Sequence, residues 1–195
     1  MQWKKLLSLL AFTFLIGVTL IYGQTDDLPS FNQDRLSRQK TAMAILGTWA
    51  IGNMAVGAVG MGRSSGETRY FHQMNVGWNV VNLSIAGWAF YQAAKADPFA
   101  LDAAATFQEH HNLQKLLLFN AGLDVGYMLG GAYLMERSRR GTSNAPRLKG
   151  FGRSIAVQGA FLFLFDVSTY AVFATQNDRL FPLLGPNGIG MGFKF

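Results

Sequence analysis

Asp124 and Asp166 are the only acidic residues inside the four long apolar runs of this chain, and no Lys or Arg lies in those runs to neutralise them. An ionised carboxylate at the centre of a bilayer costs at least ~2.5 to 3.5 kcal/mol on insertion scales, so such residues face a bundle interior and carry a role. The chemistry open to them is proton or cation exchange, or acid and base work on a ligand. Desolvation and a neighbouring like charge both disfavour the ionised form, so at least one of the two is expected to hold its proton at neutral pH.

Other polar residues recur at helical spacing around them. Asn75, Trp78, Asn79 and Asn82 fall at i, i+3, i+4 and i+7, on one helical face. Asn120, Asp124 and Tyr127 form a second stripe, Trp49 and Asn53 a third, and Gln158 lies two turns before Asp166. Unpaired amides cannot face hydrocarbon, so these stripes should point inward. Asn53, Asn79 and Asn82 are the expected donors to the two carboxyls. Interhelical hydrogen bonds average only ~0.6 kcal/mol, whereas a buried polar group left unpaired costs ~1 to 3 kcal/mol. The amides can therefore be held as mutual glue. The two acids are harder to explain that way, because Asn would bond equally well without a proton to manage. Gly122, Gly126 and Gly130 make a small-residue ladder about 200° from Asp124 on its helix, expected to pack within the bundle or, less directly, at a homodimer seam.

Several chemistries are disfavoured. With no Cys there are no disulfides, thiolate metal sites or lipoprotein anchor. Glu109-His110-His111 does not present two ligands to one ion, since adjacent helical side chains diverge by about 100°. Surface residues at a helix start are the expectation there, and no metal or cofactor is assigned. Nucleophile elbows, phosphate-cradling Gly loops and HExxH patterns do not occur, which points away from known hydrolases and nucleotide enzymes.

The elements that must position these residues are the apolar runs themselves, at about Thr41 to Met61, Met74 to Ala94, Leu116 to Met135 and Ser154 to Thr175. Each has roughly the 20 residues a helix needs to cross ~30 Å of hydrocarbon, and none contains Pro. Half the chain is hydrophobic and only 14% is charged, a balance too apolar for an ordinary soluble domain. Lys4 and Lys5 before Leu6 to Tyr22, followed by a polar stretch, read as a signal peptide or N-terminal anchor over 1–23. An external segment, 24–40, a four-helix transmembrane domain, 41–177, and an external tail, 178–195, complete the layout. Ile189, Met191, Phe193 and Phe195 alternate as in the last strand of a barrel, but continuous 20-residue runs exclude one. The tail is expected to be short and strand-like or disordered.

Charge placement sets orientation. Loops 62–73 and 136–153 hold eight Lys and Arg against two acids, and the opposite side holds seven of each. The loop before the fourth run alone carries six basic residues, which places it in the cytoplasm and both mature termini outside. The net charge of +6 is thus mostly topological. Contact of Arg137, Arg139 and Arg140 with anionic headgroups explains it better than a nucleic-acid partner, for which no motif exists.

The first and third runs read as copies. Gln33 to Lys40 matches Gln108 to Lys115 at a spacing of 75, and Gly52, Met54, Gly57 and Ala58 match Gly126, Met128, Gly131 and Ala132 at 74. The second and fourth align weakly at 84, with Asn82 opposite Asp166. Two copies of a two-span unit share one orientation, with their pseudo-twofold axis along the membrane normal. The expected fold is therefore all-α, a four-helix transmembrane bundle of two repeated hairpins.

Particular strings point further: Tyr70-Phe71-His72-Gln73-Met74-Asn75-Val76-Gly77-Trp78-Asn79, Asn120-Ala121-Gly122-Leu123-Asp124-Val125-Gly126-Tyr127, and Gly152-Arg153-Ser154 to Gln158-Gly159 with Leu164-Phe165-Asp166. Together they resemble an uncharacterised family of small bacterial membrane proteins, a domain of unknown function, over about residues 31 to 177. The resemblance implies a four-helix protein of the bacterial inner membrane and supplies no activity, cofactor or catalytic residue. The leading expectation is a multi-pass protein that binds a small ligand, cation or proton at Asp124, Asp166, Asn53, Asn75, Asn79, Asn82, Asn120 and Gln158. Four spans are few for a transporter, so its partners are the lipid bilayer and a second copy. The rival is a non-catalytic scaffold or assembly subunit whose loops dock a protein. A membrane enzyme acting on lipid headgroups is the weaker third.

Overall fold

A computed structural model of the chain describes residues 27–141 and 143–183. The 1–23 leader and the alternating end of the tail lie outside them. The described residues are all helical, with no strand. Four long helices, α1 (Leu28–Arg63), α2 (Gly66–Lys95), α3 (Ala103–Ser138) and α4 (Ala145–Ala174), are followed by a short α5 (Asn177–Leu183).

The helix starts follow from capping chemistry. Asp27 accepts from Ser30 N at 2.7 Å and Asp102 from Ala105 N at 2.8 Å, each satisfying an otherwise orphaned first-turn donor. Pro29 and Pro146 sit in the first turns of α1 and α4, where no N–H is needed. The α1–α2 reversal takes only Ser64 and Ser65, with Gly66 at φ 55°, and Gly141 at φ 70° opens the α3–α4 turn. These tight turns make antiparallel hairpins of α1–α2 and α3–α4, which join through α2 against α4. Helices α1 and α3 meet mainly at one end, where Asn32 Nδ2 donates to Thr106 Oγ1 at 2.9 Å.

The helices outrun the apolar runs. Residues 28–40, expected as an external segment, are the first three turns of α1, and 103–115 likewise begin α3. Hydropathy cannot see such polar extensions. Two stretches, Leu28–Arg63 and Ala145–Leu183, are long and apolar enough to cross a membrane. Helices α2 and α3 do not pass the same measure, their apolar stretches diluted by Asn75, Asn79 and Asn82 in one and by Asn120, Asp124 and several glycines in the other.

The interior is layered. Near one end, Ala42, Leu46, Ala86 and Phe165 form an apolar cluster lined by Met43, Phe161 and Leu162. Much of the remaining interior is polar, with Asn75, Asn79, Asn82, Asp124, Gln158 and Asp166 all buried. The outer surface is the reverse: Val56 is 65% exposed, Trp88 65%, Leu129 67% and Leu164 64%, one from each long helix.

Candidate functional site

The buried amides close into a circuit across three helices. Trp49 Nε1 on α1 donates to Gln158 Oε1 on α4 at 3.1 Å, and Gln158 Nε2 donates to Asn75 Oδ1 on α2. Asn75 Nδ2 donates to Asn53 O and Oδ1 at 3.2 and 3.1 Å, and Asn53 Nδ2 returns to Trp49 O at 2.9 Å. Asn79 continues it by donating to Asn75 O at 2.8 Å, and Asn82 joins Asn79 at 3.5 Å. The Trp49 ring lies flat on Phe161, with centroids 3.7 Å apart and planes 4° apart, which fixes the indole donor. The indole of Trp49, on the same helical face as Asn53, is thus part of the polar network. Each member holds the rotamer of the next, so the circuit sets the relative register of α1, α2 and α4.

The carboxyls stand apart from it. Asp124 on α3 and Asp166 on α4 are 2% and 6% exposed and meet side chain to side chain within hydrogen-bonding reach. Neither forms an ion pair with a described residue. Among the described residues no amide donates to them, contrary to the expectation for Asn53, Asn79 and Asn82, because those amides are spent on one another and on backbone carbonyls. Asp124 Oδ2 is buried without a hydrogen-bond partner. Asn120 is half-buried and forms no side-chain hydrogen bond with a described residue, so the structure does not bring it into the amide circuit.

Close backbone approach brings the two acids together. A Cβ on Gly159 would lie 2.9 Å from Asp124 O, and one on Gly131 or Gly152 would lie 2.6 Å from the carbonyl of the other. These glycines let α3 and α4 touch along their length. The Gly122, Gly126 and Gly130 ladder packs against none of the described residues: all three are exposed and a Cβ there would meet nothing within 4 Å. Helix α3 carries glycines on two faces, and the face without the regular four-residue ladder is the one that packs.

A second polar cluster at the α1 N-terminal end escaped sequence reasoning. His110, expected at the surface, is fully buried. Its Nε2 lies 2.9 Å from Asn177 Oδ1 and 2.8 Å from Gln114 Nε2, tying α3 to α5. Burial pushes the His110 pKa down, which favours the neutral ring. The His110 and Gln114 spacing of four residues was the available signal. Arg179 on α5 pairs with Asp34 on α1 at 2.8 Å. At the other end, Glu67 on α2 bridges Lys149 at 2.9 Å and Arg153 at 2.7 Å on α4.

A protein-family model matches residues 45–167, more than half of the chain. The chain belongs to this family of unknown function, DUF6992. The DUF6992 match spans every member of the amide circuit and both carboxyls, and it stops short of Asn32, Arg35 and α5. Neither a curated protein nor a solved structure matches the chain.

Proposed function

We propose that the chain is a four-span membrane protein whose Asp124–Asp166 pair holds a single exchangeable positive charge, a proton or a small cation, while the amide circuit fixes the helices around it. The distribution of polarity supports all four crossings, α2 and α3 included: amides and acids inside, aliphatic and aromatic side chains outside on every long helix. A soluble bundle would invert that pattern. The Lys- and Arg-rich end, with Arg63, Arg69, Arg137 and Arg140, then faces the cytoplasm of an inner membrane, with the mature termini outside. The hairpins are read as a repeat, supported by Gly57 and Gly131, matched 74 residues apart. Each sits where its helix presses on the next: a Cβ on Gly57 would lie 3.3 Å from His72 O, and one on Gly131 would lie 2.6 Å from Gly152 O.

The facing carboxyls carry the functional reading. Two buried carboxylates in contact, with no basic side chain beside them, repel each other unless one positive charge lies between them. That charge can leave and return without rearranging the amides, which are bonded elsewhere. The pair is therefore a binding centre for one proton or one cation, suited to sensing or coupling.

Infrared difference spectroscopy of the reconstituted protein tests it. The expected result is a carboxylic-acid band that titrates with pH, or shifts with added Na⁺ or Li⁺, and disappears in both Asp124→Asn and Asp166→Asn. A spectrum with no such band and no cation response would overturn the reading. A scaffold role is the second reading, favoured by the closed amide circuit. It predicts that both Asn variants fold and behave as the parent does.

A further inference from the structure

Arg35 is 6% exposed as a residue, yet its guanidinium forms no ion pair with a described residue. Its one hydrogen bond runs from Nε to Asn32 Oδ1 at 3.4 Å, which leaves the terminal N–H donors unused. Those terminal nitrogens are not sealed from solvent, so a cation seated this deeply with no acid against it keeps its donors open to an anion arriving from outside. The neighbouring acids do not supply one. Asp34 is engaged by Arg179 at 2.8 Å, and Glu109, whose field reaches Arg35, is exposed and beyond ion-pair distance.

The surroundings are built and polar. Asn32 and Thr106, both fully buried, are bonded to each other and orient the Arg35 Nε. His110, close enough for its charge to interact with that of Arg35, is held in its neutral form by burial. Gln176, at the junction of α4 and α5 beside the His110 partner Asn177, is 1% exposed, and both its Nε2 and Oε1 lack hydrogen-bond partners. It is a second unused donor at the same end of the bundle.

We propose that Arg35 anchors a phosphate-binding site at the end of the α1–α3 seam where both helices begin. A guanidinium fork matches two phosphate oxygens at once, which a lysine cannot do. Depth suggests the source of the phosphate: Arg35 precedes the apolar run at Thr41 by six residues, about 9 Å of helix, the level of lipid headgroups if α1 crosses the membrane. The site itself follows from the packing of α1, α3 and α5. Only the lipid source rests on the four-span reading.

Thermal unfolding of the full chain in uncharged detergent tests the site with three additives: inorganic phosphate, short-chain phosphatidylglycerol and a phosphate-free glycolipid. The expected result is stabilisation of the parent by a phosphate compound and not by the glycolipid, weakened at least tenfold in apparent affinity by Arg35→Gln. That variant, having lost a deeply seated charge with no acid against it, should unfold no earlier than the parent when no additive is present. Glu109→Gln, an exposed change that leaves the fold alone, should tighten binding several-fold by removing the competing charge, and it decides the matter if Arg35→Gln fails to fold. A response to phosphatidylglycerol alone identifies a headgroup site. A response to inorganic phosphate supports the site independently of the membrane reading. No response to either phosphate, or one unchanged by both variants, overturns the proposal.

Discussion

Adding one methyl group at Gly131 should separate the helices that bring Asp124 and Asp166 together. A Cβ there would lie 2.6 Å from Gly152 O, 2.8 Å from Ala156 N and 3.0 Å from Ala156 Cβ. Two of these atoms are backbone, so no side-chain rotation relieves the overlap and α4 must shift as a whole. Overpacking of this kind costs ~1 to 3 kcal/mol, and contact with backbone on one side of the helix puts Gly131→Ala near the top of that range. Replacing Gly in a helix returns ~1 kcal/mol of propensity. The net expectation is a loss of ~1 to 2 kcal/mol, or about 2 to 8 °C in Tm for a chain of this size. Gly126→Ala is the control: with nothing within 4 Å of its Cβ, it should keep the propensity gain and unfold later than the parent. Thermal unfolding of both variants in the same detergent, followed by circular dichroism, reads the difference. Equal losses at the two positions, or no loss at Gly131, would show that the α3–α4 contact is not made as described.

Asn75→Ala should cost ~1 to 3 kcal/mol by stranding Gln158 Nε2 and Asn53 Oδ1, whereas Asn120→Ala, which removes no bond to a described residue, should leave the unfolding midpoint within error of the parent. His110 is depressed in the folded chain, so below its ordinary pKa of 6.5 the unfolded state binds more protons, and stability should fall as the pH drops through that value. Hydrogen exchange should show α5 loosening first under those conditions, and His110→Gln should remove the pH dependence. Glu67 is held below its ordinary pKa of 4.5 by Lys149 and then Arg153, so its contribution is present above pH 4.5 and lost on further acidification. High salt should shrink that step, because the bridge is partly exposed, and Glu67→Gln should abolish it.

Periodicity located the long helices and the inward stripe of Asn75, Asn79 and Asn82, because one helical face must hide its amides whatever it packs on. It also brought Asp124 and Asp166 to the interior. What it could not reveal was partner choice. Spacing says that an amide is inward, not whether it meets a carboxyl or another amide, so of the donors assigned to the acids Asn53 belongs instead to the Trp49–Gln158–Asn75–Asn53 circuit and Asn79 and Asn82 to its extension. The same limit applies to glycine: Gly126 and Gly131 look alike in the sequence, and only the position of α4 separates them. His110 was misplaced because its burial depends on α5, a seven-residue helix containing Pro182 that no apolar run announces.

The chain has no cysteine, so single-cysteine spin labels at Ile51, Ile85, Leu123 and Leu164 report each long helix in turn without background. These residues are 58%, 56%, 42% and 64% exposed, near the middle of the four apolar runs. In reconstituted vesicles, all four labels should relax with oxygen and stay shielded from a water-soluble nickel complex. Access of that complex to Ile85 and Leu123 would place α2 and α3 in water and contradict the four-span protein on which the carboxyl centre depends.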